Sequence, residues 1–426
     1  MKKIIGTILI VASFLASFGQ QDNEQTYKKK VLDNTEVNFL YSYYKQVGNH
    51  ASVLGGEGSE KLNDNTPVVI INLPLNEDDV LTIDFGVDIY TSASSSFIDP
   101  FDRKGGVNLE DDVNLSGESS SDNRLHVNFA YSHSSDNRNI TWGANTSISQ
   151  EYDYYSFGFG GLLSRQLNNK NTEVSLRANV FLDSWKVLYP VEFRKEFNLP
   201  PSQGFELLPT DKRNSISTSL SLSQIFTQRL QASFMIDLIS QSGLLSTNFQ
   251  RVYFANEPKI IIGGFELAHD IERLPDTRIK IPLGVRLNYY LNDLMVIRTY
   301  YRYYWDDWGI AAHTASLEIP FKISPTFTFS PTLRYYTQTE SDYFAPKQVH
   351  LSAEEFYTSD YDLSEFNSFQ YGAGLRISPP LGIFKFDIPL MKGASRLKSF
   401  NLRYIHYDRS DGLKADIFSF GVDFII

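Results

Sequence analysis

Several features that commonly define an exported protein are missing from this sequence. None of its 426 residues is a cysteine, which excludes a disulfide framework and a lipidation site of the bacterial lipoprotein type. The net charge of -11 argues against nucleic acid as a partner. After the N-terminal stretch, no apolar run approaches the roughly 20 residues that a membrane helix needs. Helical periodicity and interdomain linkers are also nearly absent, so a chain of this length is predicted to form one unit.

Catalytic and metal-binding motifs are equally scarce. The sequence holds no GxSxG, HExxH, P-loop or Rossmann glycine pattern. Three histidines fall in separate predicted loops, and the acidic clusters lack the spacing of a calcium loop. A barrel hydrolase built on the HSS stretch at 133–135 is disfavoured, because His133 shares the phase of the apolar face. We therefore predict no enzymatic activity, no catalytic residue, no cofactor and no metal.

The N-terminus has the form of a secretory signal peptide. "MKKIIGTILIVASFLASFGQQ" carries two lysines, then an apolar run, then small residues at Ser17 and Gly19. This run is too short and wrongly flanked for a spanning helix. We predict a signal peptide over residues 1–19, a periplasmic segment over 20–34 and a single barrel over 35–426.

Aromatic residues are abundant, with 25 tyrosines and 31 phenylalanines, and many alternate with polar residues. In "VLTIDFGVDIYTS", Ile83, Phe85 and Val87 share one face while Asp84 and Asp88 share the other. Segments of about ten alternating residues separated by turns are typical of transmembrane β-barrels. A soluble β-sandwich also alternates, but these strands exceed its usual five or six residues.

Counting the alternating segments predicts an all-β fold, a transmembrane antiparallel β-barrel of about sixteen strands, with fourteen to eighteen possible. Long and short connections then alternate along the chain, as extracellular loops and periplasmic turns do in outer-membrane barrels. One link, about 380–397, is long where a short turn is expected. The predicted strands are 35–45, 66–73, 79–93, 124–135, 139–150, 154–166, 172–185, 214–226, 228–242, 277–291, 293–305, 309–322, 326–341, 368–379, 398–409 and 413–426.

The predicted strand ends carry the aromatic side chains of a membrane interface. We assign Trp142, Trp185, Trp305 and Trp308 to girdles that contact outer-membrane lipid. The chain also ends on an alternating strand, "FSFGVDFII", which a closed barrel explains because its last strand pairs with its first. This terminal strand resembles the signal by which the barrel-assembly machinery recognises its clients, although such signals usually end in an aromatic residue.

Placing the apolar face toward lipid turns most of the charged side chains of the strands inward. Acids then dominate the early strands and bases the late ones, as across the lumen of a porin. The alternative is that these charges pair within a plugged lumen, and the sequence leaves both readings open. The lumen-lining candidates are Asp84, Asp88, Asp183, Asp237, Arg286, Arg298, Arg302, Arg334, Arg376 and Arg403.

The predicted loops make the sequence recognisable. "YYKQVGNHASVLGGEGSEKL", "TSASSSFIDPFD", "QEYDYYSFGFGG" and "LDSWKVLYPVEFR" resemble an uncharacterised Bacteroidota-type outer-membrane β-barrel family, a domain-of-unknown-function family. The resemblance implies a barrel without an assigned activity, in a genomic setting of secreted thiol-redox and flavin-transferase proteins. The glycine-rich first stretch suits a loop packed over a lumen, or a mobile surface loop. The loop candidates are His50, Gly55, Gly56, Asp99 and Asp102.

Two functional hypotheses follow for a protein of the bacterial outer membrane. The first is a porin-like or transport component for small polar or charged solutes. The second is an occluded barrel that acts as a surface binding or scaffold partner of an exported, possibly redox- or metal-related, protein system. The solute and the periplasmic or secreted partner are both unknown from sequence. Whether residues 46–65 and 94–123 enter the barrel discriminates between the two hypotheses.

Overall fold

A computed structural model describes residues 30–92, 120–195, 198–202, 206–262, 264–386 and 395–426. Sixteen antiparallel strands form one closed barrel, as the alternation predicts. The strands are β1 (Glu36–Val47), β2 (Leu62–Pro74), β3 (Asp79–Ser92), β4 (Ser120–Ser134), β5 (Ile140–Gln150), β6 (Tyr154–Leu167), β7 (Thr172–Lys186), β8 (Thr210–Thr227), β9 (Leu230–Gly243), β10 (Thr277–Lys280 and Leu283–Asn292), β11 (Met295–Trp305), β12 (Ala311–Glu318 and Phe321–Lys322), β13 (Phe327–Gln338), β14 (Phe366–Ile377), β15 (Ser395–Arg409) and β16 (Lys414–Ile425).

The barrel wall is apolar on its outside. On β3, Phe85 and Ile89 are 44% and 45% exposed, whereas Asp88 between them is 8% exposed and faces inward. Successive side chains of a strand point to opposite faces, so the alternation of the sequence separates a lipid face from a lumen face. Among the described residues, no helix is long and apolar enough to cross a membrane.

The first and last strands close the barrel. β1 and β16 pair along their whole length, with Val37 opposite Phe424 and Tyr41 opposite Phe420. The rings of Phe39 and Phe420 meet edge to face at 6.4 Å. The C-terminal strand is therefore a wall member, and this closure leaves the sheet without an open edge.

Prolines interrupt two strands that the sequence predicts as continuous. β10 breaks after Lys280, before the buried Pro282, and β12 breaks after Glu318, before Pro320. A proline has no amide hydrogen to donate to the ladder, and the pairing is interrupted at these two positions. Both strands resume in the same direction, and the strand count is unchanged.

The connections divide the barrel into a loop end and a turn end. The link that breaks the expected alternation, between β14 and β15, lies at the turn end. Part of it forms a short strand, Phe384–Phe386, which pairs with residues 395–397 at the start of β15. Residues 30–35, before β1, lie at the same end as Ile426: the Val31 amide donates to the Glu77 carbonyl at 3.0 Å, and the Ile426 amide donates to the Thr35 carbonyl at 2.9 Å.

Several loop-end connections pack into one structure, which we call the lid. It comprises residues 48–61, 187–195, 244–262, 264–276 and 339–365. Short strands order it: Arg251–Val252 pairs with Asp270–Ile271, and Ile260–Ile262 pairs with Phe265–Leu267.

Candidate functional site

The lid spans the mouth of the barrel. Its 48–61 segment follows β1 and its 244–276 connection follows β9, eight strands away in a barrel of sixteen, so the two arise from opposite walls. They nevertheless touch: Gln250 Nε2 donates to Ser52 Oγ at 2.9 Å, and Arg251 Nη1 donates to the Val53 carbonyl at 3.1 Å. Contacts between opposite walls require the chain to cross over the lumen.

The lid has its own hydrophobic core. Val191, Val252 and Leu267 are fully buried within it. Burial of large apolar side chains stabilises a structure by about 1.5–3 kcal/mol each. The lid is therefore held as a packed body rather than as separate surface loops. Its two buried clusters contain Tyr189, Phe193, Tyr253, Ala268 and Ile271, and Val252, Phe254 and Tyr357.

A buried ion pair joins two lid segments. Arg251 Nε donates to Glu192 Oε1 at 2.7 Å, and Arg251 Nη2 donates to Glu192 Oε2 at 3.0 Å. Glu192 is 0% exposed and Arg251 is 3% exposed. A bidentate arginine–carboxylate pair fixes the geometry of both partners, and removal of one partner leaves an uncompensated buried charge.

Two other carboxyls of the lid have raised pKa values. Glu272 accepts hydrogen bonds from the Thr247 amide at 2.6 Å and the Thr358 hydroxyl at 2.5 Å. Burial, and then the charge of Asp360, raise the pKa of Glu272 to about 8. Burial, and then Asp362, likewise raise the pKa of Asp360 to about 6. The lid thus holds carboxyls that release their protons near neutral pH.

The glycine-rich stretch lies where three lid segments meet. His50 Nδ1 donates a hydrogen bond to the Gly56 carbonyl at 3.0 Å, and its ring stacks on that of Tyr361 with the centroids 3.8 Å apart. Gly55 and Gly56 have φ angles of 75° and 86°. A Cβ on Gly55 would approach the Tyr253 ring to 2.8 Å, and one on Gly56 would approach the Ser359 carbonyl to 2.7 Å. Only glycine fits there, so these predicted loop residues build the lid junction.

Two further loop candidates, Asp99 and Asp102, lie outside the described residues. Of the predicted 46–65 loop, residues 48–61 join the lid, whereas residues 94–119 of the predicted 94–123 loop lie outside the described residues.

Two of the four inward acids of the early strands are neutralised by arginines on the next strand. Arg124 Nε lies 2.6 Å from Asp88 Oδ2, and Arg213 lies 2.9 Å from Asp183 Oδ2. Among the described residues, the one basic side chain near Asp84 is His126, at 3.9 Å. For Asp237, no basic partner is found among the described residues. The predicted acidic arc therefore carries less charge than its acids alone suggest.

The basic arc is reduced in the same way. Glu318 accepts from Arg298 on the adjacent strand and from Arg403 on β15, both at 2.9 Å. Arg376 lies 3.9 Å from Asp423. Within the described ranges, Arg286, Arg302 and Arg334 form no ion pair, although Arg334 Nη1 donates to Gln370 at 3.4 Å. These three side chains remain as a positive strip on β10, β11 and β13.

Of the four tryptophans assigned to the girdles, two face outward and two do not. Trp142 and Trp305 face outward, at 46% and 40% exposure. Trp185 instead faces inward, because it shares the phase of Asp183, and its ring lies 4.5 Å from that of Tyr154. Trp308 is 3% exposed, because the chain has left β11 and turned inward.

The turn that buries Trp308 also contains the acidic pair Asp306 and Asp307. Asp306 is fully buried and accepts hydrogen bonds from Arg278, Tyr304 and the backbone amides of Trp308 and Ile310. Its carboxylate is satisfied by the protein itself. Within the described part of the chain, no group of three histidine, aspartate or glutamate side chains could hold a metal.

A cavity of about 570 Å³, lined by both polar and apolar side chains, lies between the lid and the upper wall. Its walls include Gln46, Tyr90, Trp185 and Arg213 from the strands and Gln250 from the lid. The sequence gives little sign of it. Arg213 was not predicted to face the lumen, because β8 begins at Thr210 rather than at the predicted residue 214. Gln250 belongs to a loop, where the sequence has no periodicity. The inward phase of Trp185 is the one signal that could have indicated the cavity.

The closed wall, the apolar outer band and the lid define an outer-membrane-type β-barrel with a covered mouth. The chain belongs to the family described as "Protein of unknown function (DUF3570)", whose model matches residues 6–383. Among curated proteins, none matches this chain.

Several solved outer-membrane proteins are similar in structure. A bacterial polysaccharide outer membrane secretin shares 11% identity over 92% of this chain and 99% of its own, with a TM-score of 0.43. Pseudomonas aeruginosa OccK2 (OpdF), solved in complex with glucuronate, shares 8% identity over 95% and 100%, with a TM-score of 0.39. A Pseudomonas aeruginosa FadL homologue shares 10% identity over 92% and 90%, with a TM-score of 0.38.

Proposed function

We propose that the protein is an outer-membrane channel for small polar or charged solutes whose extracellular mouth is closed by its lid. The observation that carries this proposal is the contact between Ser52 and Gln250, at 2.9 Å, from opposite walls of the barrel. Sixteen strands enclose a lumen wide enough for water, and the three unpaired arginines face it. A polar lumen under a packed lid suits gated, selective passage better than free diffusion.

The runner-up is an occluded barrel that binds a surface or exported partner. The buried lid core favours it, because a lid packed around Phe193 and Tyr253 has an opening cost that a freely mobile loop lacks. The two functions differ in whether the lid opens at all. In both, we assign the protein no catalytic activity and leave the identity of any periplasmic or secreted partner to experiment.

The remaining parts of the proposal concern delivery. Residues 1–19 direct export, the chain enters the outer membrane through the barrel-assembly machinery, and β16 supplies the recognition strand. Phe420 and Phe424 are the aromatic residues of that strand, one pairing with Tyr41 and the other with Val37.

A removable cross-link across the mouth tests the proposal. The chain has no cysteine, so Ser52→Cys with Gln250→Cys gives a single defined pair. The double variant is purified, oxidised and inserted into planar bilayers, where its conductance is measured before and after reduction with dithiothreitol. We expect the oxidised form to stay closed and the reduced form to show openings at least as frequent as the parent's.

The single variant Ser52→Cys, treated identically, is the matched control and should not respond to oxidation. A parent that never conducts, together with a reduced double variant that never conducts, would overturn the channel and leave the occluded barrel. Equal conductance in the oxidised and reduced double variant would show that the lid does not gate the lumen.

A further inference from the structure

The cavity beneath the lid has the size of a ligand site. At about 570 Å³ it falls within the roughly 300–1,000 Å³ usual for small-molecule pockets. It lies at the top of the lumen, under the 244–250 segment of the lid and beside the ends of β1, β2, β7 and β8. A solute that entered through the mouth would meet this space first.

Three buried polar atoms in its wall have no hydrogen-bond partner among the described residues. Gln250 is 7% exposed. Its Nε2 is held by Ser52 and Asp360, at 2.9 and 3.2 Å, while its Oε1 accepts no hydrogen bond from the described residues. Asn248 Oδ1 likewise accepts no hydrogen bond from the described residues, and Trp185 Nε1 donates no hydrogen bond to them. Buried polar groups are rarely left unpaired, so the cavity offers two free acceptors and one free donor.

Three of the five carboxyls that line the cavity, those of Glu60, Glu151 and Asp360, form no ion pair with a basic side chain of the described ranges. Asp362, which also lines it, pairs with Arg409 Nη1 at 2.5 Å. The two basic residues of the cavity wall are already engaged. Arg213 pairs with Asp183 at 2.9 Å, and Lys186 Nζ donates to the Tyr152 hydroxyl at 2.8 Å.

The pKa values of these carboxyls are raised, because burial outweighs the opposing charge of Arg409 near Glu60 and Asp360. Burial, and then the nearby Asp153 and Asp88, raise the pKa of Glu151 to about 7. Burial is also the main cause that raises the pKa of Glu60. A carboxyl is hard to ionise where no cation compensates its charge, and a bound cation would restore the ionised form.

The three carboxyls and two amide oxygens are spread around the cavity. Across the described residues, no three acidic or histidine side chains come together as a metal site would require. Spread acceptors are matched by an extended molecule with several N–H donors rather than by a single ion. We infer that the cavity binds a small organic polycation, a linear amine or guanidinium compound with at least two positive charges.

This inference rests on the proposed function, because it names the class of solute that the lidded channel takes. Binding, however, is measured on the closed protein, whereas passage requires the lid to open. A result on binding and a result on conductance can therefore fail independently.

Titration calorimetry of the purified full-length protein in detergent tests the inference, with spermidine as the probe. Maltotriose serves as an uncharged molecule with many hydrogen-bonding groups, and magnesium chloride as a compact cation. We expect spermidine to bind at one site and the other two not to bind. Glu151→Gln and Gln250→Leu should each weaken spermidine binding about tenfold or more, since charge-assisted hydrogen bonds are the strong ones.

Glu355→Gln is the matched control, because Glu355 is an exposed lid acid outside the cavity wall. It removes the same charge and should leave spermidine binding unchanged. Heat-modifiable migration on gels shows whether each variant remains folded, and Glu60→Gln replaces any that does not. Absence of spermidine binding to the parent overturns the inference, as does equal weakening by Glu355→Gln or equal affinity for magnesium. Spermidine binding without conductance would retain the site and reject the channel.

Discussion

The barrel wall and the lid bury their apolar side chains in opposite directions. In the wall, side chains such as Phe85 and Leu238 are 44% and 48% exposed and face outward. In the lid, Val191, Val252 and Leu267 are fully buried and face inward. The apolar side chains of the wall cover the outside of the barrel. Those of the lid pack against one another in a core, as they do in a small water-soluble domain.

The two regions also differ in the range of their contacts. Each wall strand pairs with its neighbours in sequence, apart from the closing pair of β1 and β16. The lid joins Gln250 to Ser52 and Lys347 to Glu57, across 198 and 290 residues. The wall is thus built from local hairpins, whereas the lid can form only after the closed barrel has brought its loops together. Changes in the wall should therefore abolish both regions, whereas changes in the lid should spare the wall.

Loss of the closing strand should have the largest effect. Deletion of 414–426 removes β16 and leaves β1 and β15 as open edges within the membrane, where backbone groups cannot find water. We expect no heat-modifiable species on gels and rapid degradation in the periplasm. Phe424→Leu, which keeps the strand and an apolar side chain, should assemble normally. Normal migration of the truncated chain would show that closure by β16 is dispensable.

Arg251→Ala should disrupt the lid and spare the wall. It leaves Glu192 buried without its partner, a change that costs about 3–5 kcal/mol. We expect proteinase K to cleave lid segments far faster while the heat-modifiable barrel persists. Arg273→Ala removes an exposed pair with Asp270, at 54% exposure of the arginine, and should cost no more than about 1 kcal/mol. Simultaneous loss of barrel and lid in Arg251→Ala would contradict the separation of the two regions.

The lid junction offers a more matched pair of changes. Gly56 and Gly264 share a φ of 86°, but a Cβ on Gly56 meets the Ser359 carbonyl at 2.7 Å whereas one on Gly264 meets nothing within 4 Å. Both alanine variants pay about 1–2 kcal/mol for the left-handed backbone. Gly56→Ala should cost about 1–3 kcal/mol more, from overlap. Hydrogen exchange of lid peptides measures the difference, and equal protection in both variants would remove close packing as the reason for Gly56.

Lid stability should also depend on pH through Glu272. Its folded-state pKa is raised to about 8 from an ordinary value of 4.5, so the folded lid holds a proton that the unfolded chain releases. The stabilisation is complete below the ordinary value and is lost as the pH rises toward 8. The lid should thus resist proteinase K better at pH 6 than at pH 8.5.

Glu272→Gln stays neutral at every pH, so the ratio of its cleavage rate to the parent's should fall as the pH rises. Comparison at the same pH removes the pH dependence of the protease. Asp360, with a pKa of about 6, contributes the remaining dependence on the acid side of this range. A ratio that stays constant from pH 6 to 8.5 would exclude Glu272 as the titrating group.

The smallest expected effect concerns the lumen of an opened channel. Arg302→Ala and Arg334→Ala each remove an unpaired inward charge and should shift the reversal potential toward cations by a few millivolts. The shift should fade at high salt because the Debye length shortens. Arg229→Ala changes the net charge equally but lies exposed in the turn between β8 and β9, and it should leave selectivity unchanged. The same shift in all three variants would mean that overall charge, not the lumen strip, sets selectivity.

The wall could be predicted closely because its signal is local. Strand count, face and closure follow from alternation, since a one-residue error in phase would turn a whole apolar face inward. The misplacement of Trp185 came from treating it as a strand-end aromatic rather than reading its phase with Asp183. Neutralisation of Asp88 and Asp183 was missed because cross-strand register decides which arginine lies opposite.

The sequence by itself determined a sixteen-stranded wall, its lipid face and its inward charges, because each depends on neighbours one or two residues apart. Only the tertiary structure decided that 48–61 and 244–276 meet over the mouth and that Gly56 lies against the Ser359 carbonyl. It also decided that Gln250, whose side-chain oxygen has no hydrogen-bond partner among the described residues, lines a cavity. Loops carry no periodicity. Their partners are chosen by where a closed barrel puts them, across hundreds of residues, and no short-range pattern records that choice.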